Sequence, residues 1–541
     1  MARLDVQGAW ETSRVLTWLL TVWEGSVIYA AIMAILRYIS RVAPHSVSGR
    51  IWLSDWPDGR DFAESVVGRL LIGFNRWLSR VLRPVGVFFS QTWDSSRLVR
   101  VGRAVVNGLA PALSTSWFFQ SFLGYAGDTA LAPLEVETRA VSPFLPALGA
   151  VLGFLALIPS PGPGQGGLNP TILMVLGIWG VAGLWLLQKV MAGDFTWRAS
   201  SVFLGLAAFV AIAATAMLQS ADRGASFESF LLWVTAILLF LLMVNLTRNT
   251  RDVAAFMGPV MAGAVLMAFW SLYQFKYPPV IEEHWVDPSE AGLVRTFAGM
   301  NNPNYLALFM ELYIPLVVGL WVQQPKRRLE LTGILGLMGI ALLLTQSRGG
   351  WLGLAVAAAV FIVLRAGRWS FLMVLGAALV WAAAPQSIRD RVLTAFNPEH
   401  TSNLYRTNIR IGVLRTIKSS WFLGTGLGAK AFTDVYQRYM LSGAGAAHAH
   451  NVYLQMIGET GVFGFAAIAW ALFATIRRTV VDGFDRLRSP VVASVAAAMV
   501  GVLVHGTAEH IWYNPKVLFS FWAVAGLGMG LALSSREGTK A

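Results

Sequence analysis

The chain has 541 residues, of which 56% are hydrophobic and 13% charged, and it carries a formal net charge of +13. Soluble domains are nearer about 45–50% apolar and about 25% charged, so the composition excludes an ordinary soluble protein and predicts an all-α polytopic membrane protein. In such a protein a basic excess is expected in cytoplasmic loops and at acidic headgroups, so we expect membrane lipids as partners, and no nucleic acid. The absence of cysteine excludes disulfides and thiolate metal sites.

Residues 1–140 differ from the rest because arginines recur there among large apolar side chains. Four arginines, at spacings of seven, four and three residues, share one face of a helix whose other face is apolar. The four are Arg69, Arg76, Arg80 and Arg83. The pattern predicts a basic amphipathic extension in the membrane interface or on the cytoplasmic side. A basic helix packed on the protein itself explains it equally well.

Residues 141–541 form a predicted transmembrane domain of apolar segments, each near the ~20 residues that a bilayer span requires. About twelve segments meet this criterion. They are 142–160, 170–192, 198–219, 227–247, 252–275, 303–323, 329–345, 349–366, 369–385, 450–477, 489–508 and 515–535.

The distribution of basic residues predicts the orientation of these spans. Four strongly basic links fall on the same side of the membrane in this count, and the positive-inside rule assigns that side to the cytoplasm. The opposite links, predicted to face outward, are 276–301, 345–349, 386–449 and 509–514.

The outer link 386–449 is the one long insertion. Loops longer than about 12–15 residues are usually either functional or disordered, and the composition of this one is not that of a disordered segment. Its sequence predicts an amphipathic helix at Tyr405–Ser420 and a glycine-rich turn at Trp421–Lys430. We therefore expect an ordered, functional extracytoplasmic loop.

Arginines recur in the predicted outer links. Arg295 begins the stretch RTFAGMNNPN, in which Asn302 is a good helix N-cap and Pro303 a good first helical residue. Arg348 lies in QSRGGWLG, a very short turn between two spans, where an interface anchor is the alternative interpretation. Because guanidinium groups bind phosphate with planar, paired donors, these arginines predict an anionic ligand.

The predicted helix of the outer loop adds two further arginines. Arg406 and Arg410 are four residues apart and share one helical face, whereas Arg415 points to the other side. We interpret the pair as anion binders, with a solvated basic face as the alternative.

The stretch 447–464, AHAHNVYLQMIGETGVFG, opens an apolar segment with an unusual number of polar residues. Polar side chains are costly in a bilayer and usually have a function there. Asn451, Gln455 and Glu459 lie at i, i+4 and i+8 and share one helical face, with His450 at its mouth. Taken alone, His450 is better explained as a structural histidine at a helix start.

Two further polar features lie within predicted spans. Glu311 is an acid deep in an apolar segment, which requires an unseen partner. His505 and Glu509 lie at i, i+4, with His510 adjacent. The sequence HGTAEH lacks the H-E-x-x-H order of zinc enzymes, so we predict no metal and instead a contact of this cluster with the acceptor or the active histidine.

These motifs together carry a family resemblance. QSRGGWLG, then a long outer loop with an arginine-bearing helix, then HN-x2-L-x4-E-x-G-x2-G, resembles the O-antigen ligase and polymerase superfamily, and NNPN is similar to its NPN element. The resemblance covers roughly residues 140 to 535 and implies a GT-C-type membrane glycosyltransferase without metal or cofactor. Such enzymes transfer a glycan from undecaprenyl pyrophosphate on the outer face of the cytoplasmic (inner) membrane. The acceptor is lipid A core for ligases and the next carrier-linked repeat for polymerases.

The resemblance also implies roles for individual residues. Those that match the family's pyrophosphate binders are Arg295, Arg348 and one arginine of the pair Arg406 and Arg410. His450 matches the essential histidine, and His448 beside it leaves open which of the two is the base. Supporting roles are assigned to Asn304, Asn451, Gln455, Glu459 and His505.

The expected chemistry agrees with these residue types. Fixed guanidinium groups stabilise the charge that develops on a departing pyrophosphate, and a neutral histidine accepts the proton of the attacking hydroxyl. A multi-span transporter or flippase of a lipid-linked or anionic substrate is the main rival, but transporters favour mid-membrane ionisable residues and internal repeats. The third hypothesis, a scaffold or regulatory membrane protein, does not explain why the predicted outer links contain these arginines.

Overall fold

The computed structural model describes residues 142–537 apart from gaps at 162–166, 193–196, 199, 279–293, 367–381, 383–385, 395–396, 398–400, 442 and 485–486. Within 1–140 it describes only six helical positions, at 69, 73, 77, 80, 81 and 84. Trp77 and Val81 of the predicted apolar face are exposed there. The basic N-terminal extension otherwise lies outside the described residues and stays a prediction.

The described part of the chain is helical and contains no strand. Its α-helices are α1 (Phe144–Leu155), α2 (Pro170–Ala192), α3 (Val202–Gln219), α4 (Arg223–Leu246), α5 (Thr250–Lys276), α6 (Pro303–Gln323), α7 (Arg328–Leu344), α8 (Arg348–Ala366), α9 (Gln386–Leu393), α10 (Thr401–Ser420), α11 (Ala429–Tyr436), α12 (Val452–Arg478), α13 (Pro490–His505) and α14 (Pro515–Glu537). A π-helical segment, Thr479–Phe484, extends α12, and short 3₁₀ turns at Ala298–Met300 and Pro325–Arg327 precede α6 and α7.

Eight of the described helices are long and apolar enough to cross a membrane: α2, α3, α4, α5, α6, α8, α12 with its extension, and α14. Every predicted span except 369–385, of which only residue 382 is described, coincides with a helix. The chain is therefore an all-α polytopic integral membrane protein. The count of twelve crossings stays a prediction.

The helices form a bundle with a clear centre. In their most apolar stretches, 89% of α14 and 83% of α6 are buried, against 28% of α2 and 17% of α8. Because apolar side chains on the outside of such a bundle are compatible only with lipid, α2 and α8 lie at the periphery and α6 and α14 at the centre. The predicted cap at the start of α6 is confirmed, since Asn302 accepts a hydrogen bond from the backbone of Asn304 and Pro303 follows it.

A buried lysine ties the loop before α6 to the end of α1. The Nζ of Lys516, at the start of α14, donates hydrogen bonds to the carbonyl oxygens of Ala156 (3.3 Å), Ile158 (2.6 Å) and Gly299 (2.8 Å). All three donors of the ammonium group are thereby satisfied in the interior. Lys516 thus holds the loop that carries Arg295 against the end of α1 and the start of α14.

Helix α12 is broken at Gly461, where φ is +70°. A break inside an apolar helix frees backbone groups that must find partners. The glycine-rich turn of the loop 386–449 supplies them: Val462 N donates to Trp421 O (2.9 Å), and Thr425 N donates to Gly458 O (2.8 Å). The predicted turn is confirmed, and it joins the loop 386–449 to α12.

We expect Gly461→Ala to destabilise the protein by about 1–3 kcal/mol or more, because a side chain is strained at this φ. A Cβ atom there would also lie 2.1 Å from the carbonyl oxygen of Phe422. Thermal unfolding of detergent-solubilised protein measures the effect. The matched control is Gly336→Ala on α7, where no atom lies within 4 Å of the added carbon. Equal melting temperatures for the two variants would contradict the prediction.

Candidate active site

The turn before α12 is held in an unusual backbone conformation. His450 has φ +45°, in the left-handed region that non-glycine residues seldom adopt. Asn451 caps α12 by accepting from Leu454 N (2.9 Å), and Gln455 Oε1 accepts from Ala449 N (2.7 Å). Such strain persists only where surrounding bonds fix it, and it is typical of functional sites.

The same turn is attached to the loop between α13 and α14. Val452 N donates to Gly506 O (2.8 Å), and Asn451 Nδ2 donates to Thr507 O (2.9 Å). These bonds bring Glu509 beside His450, with 3.3 Å between Glu509 Oε1 and His450 Nδ1. The structure therefore pairs the predicted active histidine with a buried carboxylate.

Glu509 extends the pair into a network. Its Oε2 accepts from Asn304 Nδ2 (2.7 Å), and its Oε1 accepts from the backbone N of His510 (3.0 Å). Asn304 Oδ1 in turn accepts from Arg295 Nη2 (3.1 Å). A continuous polar chain thus runs from His450 through Glu509 and Asn304 to Arg295.

The sequence predicted that the cluster of His505, Glu509 and His510 contacts the acceptor or the active histidine, but it did not single out Glu509. The i, i+4 spacing suggested that Glu509 shares a helical face with His505, but α13 ends at His505 and Glu509 lies in the following loop. The available signal was an acid in a short link between two apolar segments. A helical spacing rule does not apply across the end of a helix.

The two histidines differ in environment. His450 N donates to His448 Nδ1 (3.2 Å), which makes that nitrogen an acceptor. Burial first, and then the positive charges of His450 and Arg406, lower the pKa of His448 to about 3, although Glu509 opposes them. The side chain of His448 is 10% exposed and that of His450 25%. His450 is therefore the more accessible imidazole and the nearer to the carboxylate.

Glu509 is ionised at neutral pH. Burial alone raises the pKa of this carboxyl, but the charge and hydrogen bond of His450 and the charge of Arg406 lower it by more. The net pKa of Glu509 is well below its usual value. The buried carboxylate is stable as an anion because cationic and hydrogen-bonding groups surround it.

The predicted arginines differ in their contacts and in their exposure. Arg295 Nε donates to Thr345 O (3.0 Å), which places it beside the turn that leads to Arg348. Arg348, at the start of α8, donates to Thr394 Oγ1 (2.9 Å). On α10, Arg406 is half-buried and acts on Glu509, whereas Arg410 is exposed.

Two of the predicted supporting residues lie beneath the turn. Gln455 Nε2 donates to Glu459 Oε1 (2.7 Å), and both side chains are buried. Because Gln455 also accepts from Ala449 N, it connects the turn to the acid one helical turn further along α12. These contacts orient the backbone and leave neither side chain facing the mouth of the site.

His505 does not make the predicted contact with the active histidine. It is the last residue of α13 and points into the bundle, where its Nδ1 lies 2.8 Å from Glu311 Oε2. Within the predicted cluster Glu509 contacts the active histidine, whereas the imidazole of His505 pairs with the buried carboxylate of Glu311. Glu311, whose partner the sequence did not reveal, is thereby paired.

Three of these side chains are of types that bind metal ions. Single donor atoms of His448, His450 and Glu509 lie within 4.8 Å of one another. Within the described residues, His448 Nδ1 and both oxygens of Glu509 already accept hydrogen bonds from protein groups. These three atoms thus have partners in the protein, and the expectation of no metal stays a prediction.

The stability of the protein should fall on acidification in a way that depends on His448. The unfolded chain takes up this proton near pH 6.5, whereas the folded protein does so only near 3. Protons therefore favour unfolding as the pH falls through that window. We expect His448→Gln to lose several degrees less in melting temperature than the parent between about pH 7 and pH 5. Measurement of both proteins near pH 8 is the control, and equal slopes would contradict a buried neutral His448.

Comparison with known proteins agrees with this site. Residues 333–469 match the family model described as O-antigen ligase. This segment includes Arg348, Arg406 and both histidines, while Arg295 and Glu509 lie outside it and are brought in by the fold. No curated protein matches the chain at a significant level.

The family match and the helices fix the general nature of the protein. The O-antigen ligase family implies glycan transfer of the ligase or polymerase type, with a lipid-linked glycan and an acceptor as substrates. The apolar helices indicate an integral membrane protein. The resemblance predicted from the motifs is confirmed for residues 333–469, which are similar to the O-antigen ligase family.

Proposed function

We propose that the protein is a metal-independent membrane glycosyltransferase that needs no cofactor. It moves a glycan from an undecaprenyl pyrophosphate carrier to an acceptor hydroxyl on the outer face of the cytoplasmic membrane. The observation that carries the proposal is the accessible His450 paired with the buried carboxylate of Glu509, in one polar network with Arg295. A base and anion-binding groups are what this transfer requires.

His450 is the proposed general base. The acceptor oxygen forms a bond to the anomeric carbon of the donor sugar while the bond from that carbon to the pyrophosphate oxygen breaks. The acceptor proton passes to the Nε2 of His450, since Nδ1 faces Glu509. The carboxylate of Glu509 orients the imidazole and stabilises the imidazolium that forms.

The arginines stabilise the leaving group. Negative charge develops on the pyrophosphate oxygen as the glycosidic bond breaks, and a fixed guanidinium group meets it without reorganisation. Arg295 is held in advance by Thr345 and Asn304. Arg406 is the preferred member of its pair, because Arg410 is exposed one turn further along α10.

The course of the helices supports an outward-facing site. α6 begins beside Asn304 and ends next to the basic link 326–328, and α7 returns to Thr345. The basic residues at 477–478 lie likewise at the end of α12 remote from His450. If the basic ends lie in the cytoplasm, the site lies at the opposite face.

A deletion strain tests the function and separates its two forms. Loss of a ligase leaves long glycan chains on the carrier, whereas loss of a polymerase leaves single repeats. Extraction and sizing of carrier-linked glycans distinguishes the acceptor, which is lipid A core in the first case and a carrier-linked glycan in the second. If carrier-linked glycans are unchanged in the deletion strain, glycan transfer from this carrier is not the function.

Substitutions at the site test the assigned roles. We expect His450→Ala and Glu509→Gln to lower transfer by at least about a hundredfold, because the first removes the base and the second its orienting charge. Arg348→Ala should also abolish transfer. Activity is measured as glycan transfer in reconstituted vesicles, with protein amount in the membrane determined in parallel.

The matched control for these variants is Lys430→Gln, which alters an exposed lysine paired with Asp222 away from the histidines. Its activity should equal that of the parent. Full activity in His450→Ala would exclude His450 as the base. Loss of parent activity on treatment with EDTA would contradict the metal-independent mechanism.

A further inference from the structure

A buried acid–imidazole pair lies below the site and takes no part in the proposed chemistry. Glu311 on α6 is fully buried and His505 is 2% exposed. Glu311 Oε2 contacts His505 Nδ1 at 2.8 Å, while Oε1 has no hydrogen-bond partner among the described residues. An unsatisfied carboxylate oxygen in the interior of a membrane bundle is costly, so such a group is retained for a function.

The pair fills space on the face of α8 that glycines leave open. A Cβ atom added to Gly349 would lie 2.4 Å from Nε2 of His505, and one added to Gly353 would lie 1.9 Å from Oε1 of Glu311. These glycines are four residues apart and occupy one side of the helix. The carboxylate and the imidazole therefore press directly on the backbone of α8 and define how closely it packs.

Each helix at this contact carries a group of the proposed site. α6 bears Asn304 in its first turn, two turns or about 10 Å from Glu311 at 1.5 Å per residue. α8 bears Arg348 immediately before Gly349. α13 ends at His505, four residues before Glu509, and Ala508 N donates to His505 O (2.9 Å). One buried contact thus joins the three elements below the site.

We infer that Glu311 and His505 form a positioning pair for the transfer reaction. The pair fixes the depth of α8 against α6 and α13 and so sets Arg348 relative to Asn304 and Glu509. The inference rests on the proposed function of those three groups. Neither member of the pair touches the substrate.

The roles proposed for Arg348 and Glu509 predict how a displaced α8 changes kcat and KM. Arg348 and Glu509 act on charges that develop in the transition state, so a displaced α8 lowers kcat more than it raises the KM of the donor. A misplacement of about 1 Å by a remote substitution can cost about a hundredfold in rate. General unfolding would instead lower the amount of active protein and leave the KM unchanged.

A double-mutant cycle tests the pair. Gly349→Ala should lower kcat by about ten- to a hundredfold, because its methyl group meets the imidazole. His505→Ala should lower kcat too, since it leaves Glu311 without its partner. In the double variant the methyl group occupies the space left by the imidazole, so kcat should recover to at least about fivefold above Gly349→Ala. If the losses in kcat of the two single variants instead multiply in the double variant, the inference is wrong.

A second cycle guards against a variant that does not fold. Glu311→Ala with Gly353→Ala probes the other half of the contact, where the added carbon would meet the carboxylate. The same recovery in kcat is expected, and multiplying losses in this cycle would likewise overturn the inference. Gly336→Ala, with open space around the added carbon, is the control and should retain full activity.

A distance measurement separates this inference from the proposed function. The chain has no cysteine, so spin labels can be introduced at Leu352→Cys and Phe463→Cys without prior substitutions. Both side chains are half exposed and lie outside the site. The label-to-label distance should change in Gly349→Ala and return in the double variant with His505→Ala. An unchanged distance in Gly349→Ala refutes positioning by the pair, whereas absence of transfer in the parent refutes the proposed function.

Discussion

The site depends on a carboxylate that is kept ionised away from water. Glu509 accepts hydrogen bonds from Asn304 and from the backbone of His510, and it faces the imidazole of His450. A buried anion without such partners would take up a proton, and the network from Arg295 to His450 would lose its centre. The interactions that converge on Glu509 therefore determine both where the histidine points and where the nearest guanidinium lies.

Two irregular backbone segments make this convergence possible. The turn at His450 is held by side chains of α12 and by the loop after α13, and the backbone groups freed at Gly461 pair with the glycine-rich turn of the loop 386–449. In each case backbone groups that a regular helix would satisfy are paired with another part of the chain. The loop 386–449 and the helices of the bundle thus form one unit around the site.

The sequence predicted features that depend on local patterns. Hydropathy located the helices, Asn302 and Pro303 marked the start of α6, and glycine spacing marked the turn near Gly426. The spacing of Asn451, Gln455 and Glu459 indicated one polar face, and their contacts lie along it. These features follow from residues close together in the chain.

The sequence could not predict partners that depend on where helices end and how they pack. Glu509 lies just beyond the end of α13, so its proximity to His450 comes from a loop and not from helical spacing. Glu311 and His505 are far apart in the chain and meet only because α6 and α13 pack together. The glycines of QSRGGWLG carried the family resemblance. Only the structure shows why a side chain is excluded at Gly349 and Gly353: His505 and Glu311 occupy the space beside them.

Lys516 takes the place of a bound metal ion at the end of the bundle near Arg295. Many proteins gather carbonyl oxygens around a bound cation, and such a scaffold then weakens whenever the ion is removed or exchanged. Here an ammonium group attached to the chain gathers the carbonyls of Ala156, Ile158 and Gly299. The loop that presents Arg295 is therefore organised by a cation that is covalently part of the chain and is not lost by ion exchange.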